Sequence, residues 1–186
     1  MEDIKEKIIS TVSEMLSSGM NAEEITVREI TSRMGISVST VNYHFGSKDN
    51  LMRIVIKKHI DGVIAKVPEL LNQMDGLPIK EKLFRMVKLT ADYLVKFPSV
   101  SRISILSDLM DGHGNDNTFG TIRAYEPMIR KLVGNEAADI YGMVLCFTLQ
   151  GMFMRMDVLK DESIADFSDK AARDRIIDQI FRIILP

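Results

Sequence analysis

The sequence has 186 residues, of which 46% are hydrophobic and 27% are charged, and its formal net charge is −2. This length suits one large domain or two small ones, and this composition is that of a globular protein with a hydrophobic core. The absence of Trp and the low Pro content favour helices over a turn-rich β fold. The single cysteine, Cys146, excludes an intrachain disulfide and a cysteine-based metal site.

Two segments bear on the location of the protein. The N-terminal residues M-E-D-I-K-E-K are charged and lack the apolar run of a signal peptide. The longest uncharged segment near the C-terminus, 140–154, is shorter than the roughly 18–20 apolar residues that span a bilayer. We therefore expect a cytoplasmic protein with no membrane partner, and we interpret this segment as a buried helix.

The first two helices can be predicted from apolar spacing and from capping residues. Apolar residues recur every three or four positions at the start of the chain and predict a first helix over about 3–18. A capping box follows, in which Thr26 can cap a second helix with its hydroxyl and Glu29 can reach back to the N–H of Thr26. Gly35 can adopt the left-handed conformation that ends this helix.

A third short helix follows, which Ser37 or Ser39 can cap and Gly46 ends. Val41 and Phe45 lie one turn apart and can point inward. The remaining face has no acidic residue and carries mostly polar groups: Val38, Ser39, Thr40, Asn42, Tyr43 and His44. Such a face suits contact with a polyanion. We interpret the second and third helices as a helix-turn-helix whose last helix enters the major groove of double-stranded DNA.

The charges are distributed unevenly along the chain. Residues 25–60 carry six cationic side chains against two acids, a local net charge of +4, and residues 31–48 contain no acid. Phosphate contacts need local cations rather than a basic protein. The local excess therefore supports DNA binding, although the overall charge argues weakly against it.

The rest of the chain predicts further helices. They cover about 47–67, 79–97, 100–110, 118–133 and 136–158, and a last one begins near 166–169. Pro127 falls inside one of these helices and predicts a kink or a short break. The predicted fold is all-α, with a three-helix headpiece over 1–46 that binds DNA and a larger helical regulatory body over 47–186.

The last two predicted helices offer a surface for a homodimer. One recognition helix reads few bases, and two-fold operators are met by two-fold dimers. The candidate interface combines small residues, which permit close helix approach, with large apolar ones: Gly142, Cys146, Leu149, Phe153, Ile177, Phe181 and Ile184. The alternative is that these side chains fill the core of a single subunit.

The middle helices are rich in Met and Phe, with polar residues among them. Met adapts to irregular shapes, and a small-ligand site is usually an apolar cavity with a few polar anchors. The candidate ligand contacts are Phe84, Tyr93, Arg102, Met110, Tyr125, Met128, Gln150 and Met154. They favour a small apolar or aromatic ligand, although Met and Phe at helical spacing are more often ordinary core residues.

Patterns of enzyme chemistry are not found. His44, His59 and His113 lie far apart in sequence, and none has a metal-ligand partner four residues on. The sequence has no Gly-rich phosphate loop and no nucleophile elbow. We predict that the protein is not an enzyme and holds no metal or cofactor.

Residues 26–51 resemble the DNA-binding region of the TetR family of transcriptional regulators. The specific part is an aromatic-His-Phe-x-x-Lys-x-x-Leu ending, carried by Tyr43, His44, Phe45, Lys48 and Leu51. Beyond about the first 55 residues, the resemblance covers only the length, the helical pattern and two long final helices. It implies about nine helices and a homodimer formed through the last two. It also implies a repressor that a small molecule releases from its operator.

The resemblance also assigns roles to single residues. It implies that Arg28 and Lys48 contact phosphates near the two ends of the motif, and that Tyr43 and His44 contact phosphates as well. The start of the recognition helix, where bases or backbone are touched, is occupied by Val38, Ser39 and Thr40.

Two positions depart from the family pattern. Asn42 stands where an aromatic residue is common, and because an Asn can bond adenine through two hydrogen bonds, it could read sequence here. Thr31 stands where Ala is usual, and its methyl group can still pack.

Two other functions are compatible with the sequence. A helix-turn-helix regulator could be controlled by a protein partner, or act as an activator, and its body would then be filled rather than hollow. A more distant alternative is an all-helical enzyme or carrier with an accidental DNA-binding motif.

Overall fold

The computed structural model describes residues 3–185 and shows helices and connecting segments, with no strand in that range. The helices are α1 Ile4–Ser17, α2 Val27–Met34, α3 Val38–Phe45, α4 Lys48–Ile64, α5 Val67–Gln73, α6 Ile79–Lys96, α7 Pro98–Asp111, α8 Asn117–Val133, α9 Asn135–Met154, α10 Met156–Asp161 and α11 Lys170–Ile184. The all-α prediction is confirmed. The short helices α5 and α10 bring the number within the described residues above the predicted nine or so.

The ends of α2 and α3 follow the local chemistry of the sequence. Thr26 caps α2 by accepting a hydrogen bond from the N–H of Glu29 at 3.1 Å. The predicted return bond from the Glu29 carboxylate is not formed; this group lies 3.3 Å from Arg33 instead. Gly35 ends α2 with a φ of 64°, in the left-handed region, and Ser37 rather than Ser39 caps α3.

The headpiece core extends into α4. Val41 and Phe45 point inward from α3 and join the buried residues of α1 and α2. Leu51 and Val55 of α4 belong to the same cluster, and so does Val100 of α7. The first half of α4 is therefore fixed to the headpiece by apolar packing, while the helix continues towards the body.

Proline positions set several helix ends. Pro68 lies in the first turn of α5, and α4 ends at Ile64, three residues before the predicted end. Pro98 begins α7, two residues before the predicted start, because proline is well suited to the first position of a helix. Of the kink or short break predicted at Pro127, the break does not occur, since α8 continues through this residue.

One face of helix α9 lies in the core of the body, where it packs against α8 and α6. By length and composition alone, this helix could cross a membrane, but the core helix of a soluble protein passes the same test. Its buried row includes Leu145, Leu149 and Phe153, which belong to the core cluster of the body. The sequence predicts one helix to about residue 158, but α9 ends at Met154 and α10 follows.

A polar network joins α6 to the start of α11. The Arg173 side chain is buried and donates hydrogen bonds to the carbonyls of Phe167 and Ser168. It also donates to the Asp92 carboxylate at 2.6 Å, and Lys170 donates to the same carboxylate at 2.9 Å. This network fixes the last helix against the body.

Candidate nucleic-acid interface

The outer face of α3 is exposed and polar at its centre. Tyr43 is 86% exposed and Val38 is 43% exposed, and Ser39 and Asn42 are exposed as well. Because Val41 and Phe45 anchor the opposite side of the helix in the core, this face has a fixed orientation. The face is therefore free to contact a partner without any change in the packing of the headpiece.

Three hydroxyl groups cluster at the N-terminus of α3. The Ser37 Oγ lies 2.7 Å from Ser39 Oγ and 2.9 Å from Thr40 Oγ1, and it accepts the N–H of Thr40. Hydroxyls and the free N–H groups of a helix N-terminus can bind phosphate oxygens or base edges. This end of α3 is therefore suited to the first contacts with a groove.

Two cationic side chains flank the helix-turn-helix. Arg28 is exposed at the start of α2 and forms no ion pair among residues 3–185. Lys48, at the start of α4, is half-buried and donates to the carbonyl of Glu23 at 3.1 Å. Arg28 is thus available for a phosphate, whereas Lys48 also braces the connection between α1 and α2.

The C-terminal end of α3 carries two neighbouring rings: Tyr43 is exposed, and His44 packs against other aromatic rings. Tyr43 and His44 make an edge-to-face contact with 5.2 Å between ring centroids, and His44 also lies 6.2 Å from the Phe45 ring.

Thr31 of α2 is buried, and its hydroxyl donates to the carbonyl of Arg28 at 2.9 Å. The hydroxyl at this unusual position is therefore satisfied within α2.

The candidate ligand contacts do not gather around one cavity. Tyr125 is buried and donates to Thr90 Oγ1 at 2.6 Å, and burial raises its pKa far above the usual tyrosine range. Met128 is a core residue, and Met154 packs against the same core. Gln150 donates to Thr118 Oγ1 at 2.9 Å. These four side chains are already engaged within the subunit.

The other four candidates have different surroundings, although Phe84 packs against the same core cluster. Met110 is 82% exposed, and Arg102 pairs with Asp157 at 3.2 Å. Phe84 packs edge-to-face on Phe181 of α11, with 5.1 Å between centroids. Tyr93 belongs to another site, where its ring lies 6.2 Å from that of His59.

Tyr93 is the one of these four whose buried hydroxyl has no hydrogen-bond partner among the described residues. Burial raises the pKa of Tyr93 to about 12, and burial followed by the charge of Lys66 lowers the pKa of His59. Both groups are therefore neutral at pH 7 where α4 meets α6.

A cavity of about 210 Å³ lies where α4, α7 and the start of α8 meet. Its polar lining includes Arg53, Ser104, Asp108 and Asn117. None of the eight candidate ligand contacts lines it. The one sequence feature that borders this cavity is the polar, Gly-rich connection at 111–117. Its composition is typical of a mobile loop and does not indicate a cavity.

The candidate dimer residues lie on the inward side of their helices. Six of them are buried within the subunit, and Ile184 is half-buried: Gly142, Cys146, Leu149, Phe153, Ile177, Phe181 and Ile184. A Cβ at Gly142 would lie 3.0 Å from Ile122 Cγ2, so its small size lets α8 and α9 approach each other within one chain. The sequence does not indicate the inward face because α9 is apolar almost all round.

The outward face of α9 carries a separate apolar stripe. Ile140, Val144, Phe147 and Gly151 are exposed and follow one another at steps of four, three and four residues. A Cβ at Gly151 would meet no atom within 4 Å. On α11, Ile183 is 80% exposed. Apolar residues at this spacing form the seam through which helices associate.

Residues 18–55 match the model of the family described as bacterial regulatory proteins, tetR family. This segment contains α2, α3 and the beginning of α4. No curated protein matches the sequence significantly.

The whole chain is similar in fold to solved structures of regulators. One is a TetR transcriptional regulator from Legionella pneumophila, with a TM-score of 0.62 and 19% identity over 97% of this chain and 98% of that one. Another is the transcriptional regulator FadR from Bacillus subtilis in complex with stearoyl-CoA, with a TM-score of 0.59 and 12% identity over 96% of both chains. A TetR-family regulator from Bordetella parapertussis 12822 has a TM-score of 0.56 and 15% identity, covering 100% of this chain and 95% of that one.

Proposed function

Because residues 18–55 match the model of the tetR family of bacterial regulatory proteins, we propose that this chain is a member of that family and acts as a homodimeric repressor. It binds a specific operator through α3 and leaves that operator when a small molecule binds the body. It acts in the cytoplasm, where the DNA is. The headpiece over 1–46 binds DNA, and residues 47–186 form the regulatory body.

The observation that carries this proposal is the outer face of α3. It is exposed, contains no acid, and is held rigidly by two buried residues on its other side. A helix whose outer face is built only to be soluble usually carries charged residues. This face offers hydroxyl, amide, imidazole and phenol groups instead, which bond phosphates and base edges.

The side chains on and around α3 fall into two groups: some contact phosphates and position the protein, and others contact bases and read the sequence. Arg28 and Lys48 contact phosphates at the two ends of the motif, and Tyr43 and His44 contact phosphates between them. Asn42 is exposed on the same face and can bond an adenine edge in the major groove. The remaining contacts come from the start of the helix: Val38, Ser39 and Thr40.

The dimer forms through the outward apolar stripe of α9, Ile140, Val144, Phe147 and Gly151, together with the exposed part of α11. The buried candidates named from the sequence support these helices from inside the subunit. A two-fold pair of such faces makes a four-helix interface. The dimer then presents two α3 helices to successive major grooves, whose separation is about 34–36 Å.

Helix α4 connects the two functions. Its first half belongs to the headpiece core, and its length also packs against α7 and α8. A ligand that favours another position of α4 changes the separation of the two α3 helices. Such a ligand shifts the population away from the DNA-binding form.

One observation favours a second function, a regulator controlled by a protein partner or acting as an activator. The cavity of about 210 Å³ between α4, α7 and the start of α8 is smaller than the roughly 300–1,000 Å³ of sites for drug-sized ligands. If this second function is correct, DNA binding persists but no small molecule affects it.

Fluorescence anisotropy with labelled duplexes from the DNA flanking the gene tests DNA binding. We expect the affinity for duplex DNA to fall steeply as the salt concentration rises. The double variant Arg28→Ala, Lys48→Ala should bind at least about tenfold more weakly than the wild type. Lys131→Ala is the matched control, because Lys131 is an exposed cation on α8 that forms no ion pair within residues 3–185. Negligible affinity for every duplex at low salt would overturn the proposal.

A further inference from the structure

We propose that the cavity between α4, α7 and the start of α8 binds a small organic ammonium ion. The regulatory effect of this binding rests on the function proposed above, whereas the binding itself does not. This ligand carries a positive charge, unlike the apolar or aromatic molecule that the sequence suggests. It follows from the polar groups of the lining.

A buried acceptor without a donor lies at the cavity. Asn117 is only 8% exposed and lines the cavity. Its Nδ2 donates to Ser104 Oγ at 2.9 Å, while its Oδ1 is buried and has no hydrogen-bond partner among the described residues. A buried polar atom left without a partner is costly, so a ligand that brings an N–H donor is favoured.

Asp108 adds a negative charge beside this acceptor. Its Oδ2 accepts from the N–H of Thr118 at 2.9 Å and from Thr118 Oγ1 at 2.8 Å, and its Oδ1 accepts no bond from a described residue. Burial is the main cause that raises the pKa of Asp108, and the neighbouring Asp116 raises it further. A cation in the cavity would offset both effects.

Asp116 adds negative charge to the cavity, but both of its carboxylate oxygens already accept hydrogen bonds from backbone N–H groups. Its Oδ1 accepts the N–H of Phe119 at 2.8 Å, and its Oδ2 accepts the N–H of His113 at 3.2 Å. It therefore caps α8 and remains a buried negative group at the cavity. The inner part of the lining is thus rich in acceptors and anionic.

The cationic residues of the lining are paired with acids of their own. Arg53 lies 2.8 Å from Asp111, and Lys57 lies 3.2 Å from Asp61. These four side chains are substantially exposed, so the pairs lie towards solvent. Within each pair the charges largely neutralise each other. Lys57 still lowers the pKa of Asp108, but burial is the larger effect and the pKa stays raised, so the inner carboxylates are only partly compensated.

The rest of the lining decides between an organic and an inorganic cation. Ile54, Ile56 and Ile103 supply apolar wall that fits an alkyl or aryl group. Within residues 3–185, no three His, Cys, Asp or Glu side chains are placed to hold a metal ion. A cation with an apolar body and N–H donors matches both features, and the volume limits it to a small molecule.

Binding here would act directly on the connecting helix. The cavity wall includes Arg53 and Lys57 of α4, the helix that carries the headpiece towards the body. A ligand held by α7 and α8 therefore contacts α4 from the side of the body. It can change the position of α4 without contacting the core cluster of the body.

Butylamine and benzylamine are the probes, and calorimetry and the thermal unfolding midpoint are the measurements. Butanol, benzyl alcohol and butyrate control for shape and charge, and magnesium chloride controls for an inorganic cation. We expect both amines to bind in the millimolar range or tighter and to raise the unfolding midpoint. The alcohols, butyrate and magnesium should have no such effect.

Asp108→Asn is the diagnostic variant, because an Asn oxygen can still accept the bonds from Thr118. We expect it to weaken amine binding at least about tenfold, since it removes a charge-assisted hydrogen bond. Asp139→Asn is the matched control: Asp139 is an exposed acid of α9 outside the lining, and it forms no ion pair within residues 3–185. Ser107→Phe, which obstructs the cavity from α7, should also abolish binding and serves if Asp108→Asn does not fold.

Several results would overturn the amine site. The first is that neither amine binds in the millimolar range, and the second is that the amines and the alcohols bind equally well. The third is that neither Asp108→Asn nor Ser107→Phe weakens amine binding. The fourth is that magnesium raises the unfolding midpoint and Asp108→Asn removes this increase. Duplex affinity with and without amine separates the two proposals. Amine binding that leaves DNA affinity unchanged supports the site and contradicts ligand release. Amine binding by a protein that binds no duplex supports the site and contradicts the repressor.

Discussion

Arg53 and Asp111 form an ion pair of 2.8 Å that joins α4 to the C-terminal end of α7. Both side chains are largely exposed, so the pair should contribute less than about 1 kcal/mol to the free energy of unfolding. Its position matters more than its strength, because it holds the connecting helix against the body.

Asp111→Asn should therefore lower the affinity for duplex DNA about two- to fivefold, since a looser α4 fixes the spacing of the two α3 helices less well. Urea unfolding and anisotropy titrations measure the two effects. Asp61→Asn is the control, because it breaks an ion pair within α4. An equal effect of both substitutions on DNA affinity would contradict this role for the Arg53–Asp111 pair.

Asn42 should determine sequence preference rather than general affinity. Asn42→Ala is expected to lose about 1–3 kcal/mol of discrimination at one base pair in each half-site, because the bidentate bond to adenine is lost. Affinity for unrelated duplexes should change little. Titration against single-base variants of the operator measures this, and a uniform loss on all sequences would assign Asn42 to the backbone instead.

Phe147 should be required for the dimer. It is 45% exposed in the subunit and lies at the centre of the outward stripe of α9. Phe147→Glu places a charge in an apolar interface and is expected to give monomers in sedimentation velocity, with the helical circular dichroism unchanged. Leu109→Glu is the matched control, since Leu109 is an exposed apolar residue of α7. A dimer that survives Phe147→Glu would move the interface elsewhere.

The pair of Asp92 with Arg173 should make stability depend on pH. Burial opposes ionisation of Asp92, but hydrogen bonds from Arg173 and Lys170 outweigh it and lower its pKa. Because the folded pKa is below the unfolded value of about 3.9, this contribution is complete above that pH. It is lost as the pH falls through the folded pKa.

Asp92→Asn should accordingly reduce the free energy of unfolding at pH 7 by about 1–3 kcal/mol, since Arg173 is buried and keeps only a neutral acceptor. The difference from the wild type should shrink as the pH falls below about 4. Urea unfolding between pH 7 and pH 3 measures it. A difference that stays constant over this range would show that the Asp92 charge has no part in it.

Local features of the fold could be predicted from the sequence because neighbouring residues determine them. Thr26 and Ser37 cap the helices that follow them, and Gly35 takes the left-handed conformation. Each feature depends on residue types within about four positions. The same is true of the inward Val41 and Phe45, whose spacing is enough to identify the outer face of α3.

Features that depend on distant residues could not be predicted in this way. The inward face of α9 is determined by what packs against it, as when Gly142 admits Ile122 of α8, and the sequence of α9 alone is apolar on every side. The cavity is formed by α4 together with the consecutive helices α7 and α8, and α5 and α6 separate α4 from them in the chain. Asp108 and Asn117 are close in the sequence, but only the fold places α4 against them and closes the cavity.

Selection from a pool of randomised DNA duplexes at physiological salt is the most direct measurement of what the α3 face does. We expect the wild-type protein to enrich an inverted repeat whose half-sites are centred about one helical turn apart, roughly 34–36 Å, and Arg28→Ala with Lys48→Ala to enrich nothing. A pool in which no sequence is enriched by the folded wild-type protein would contradict its role as a sequence-specific regulator.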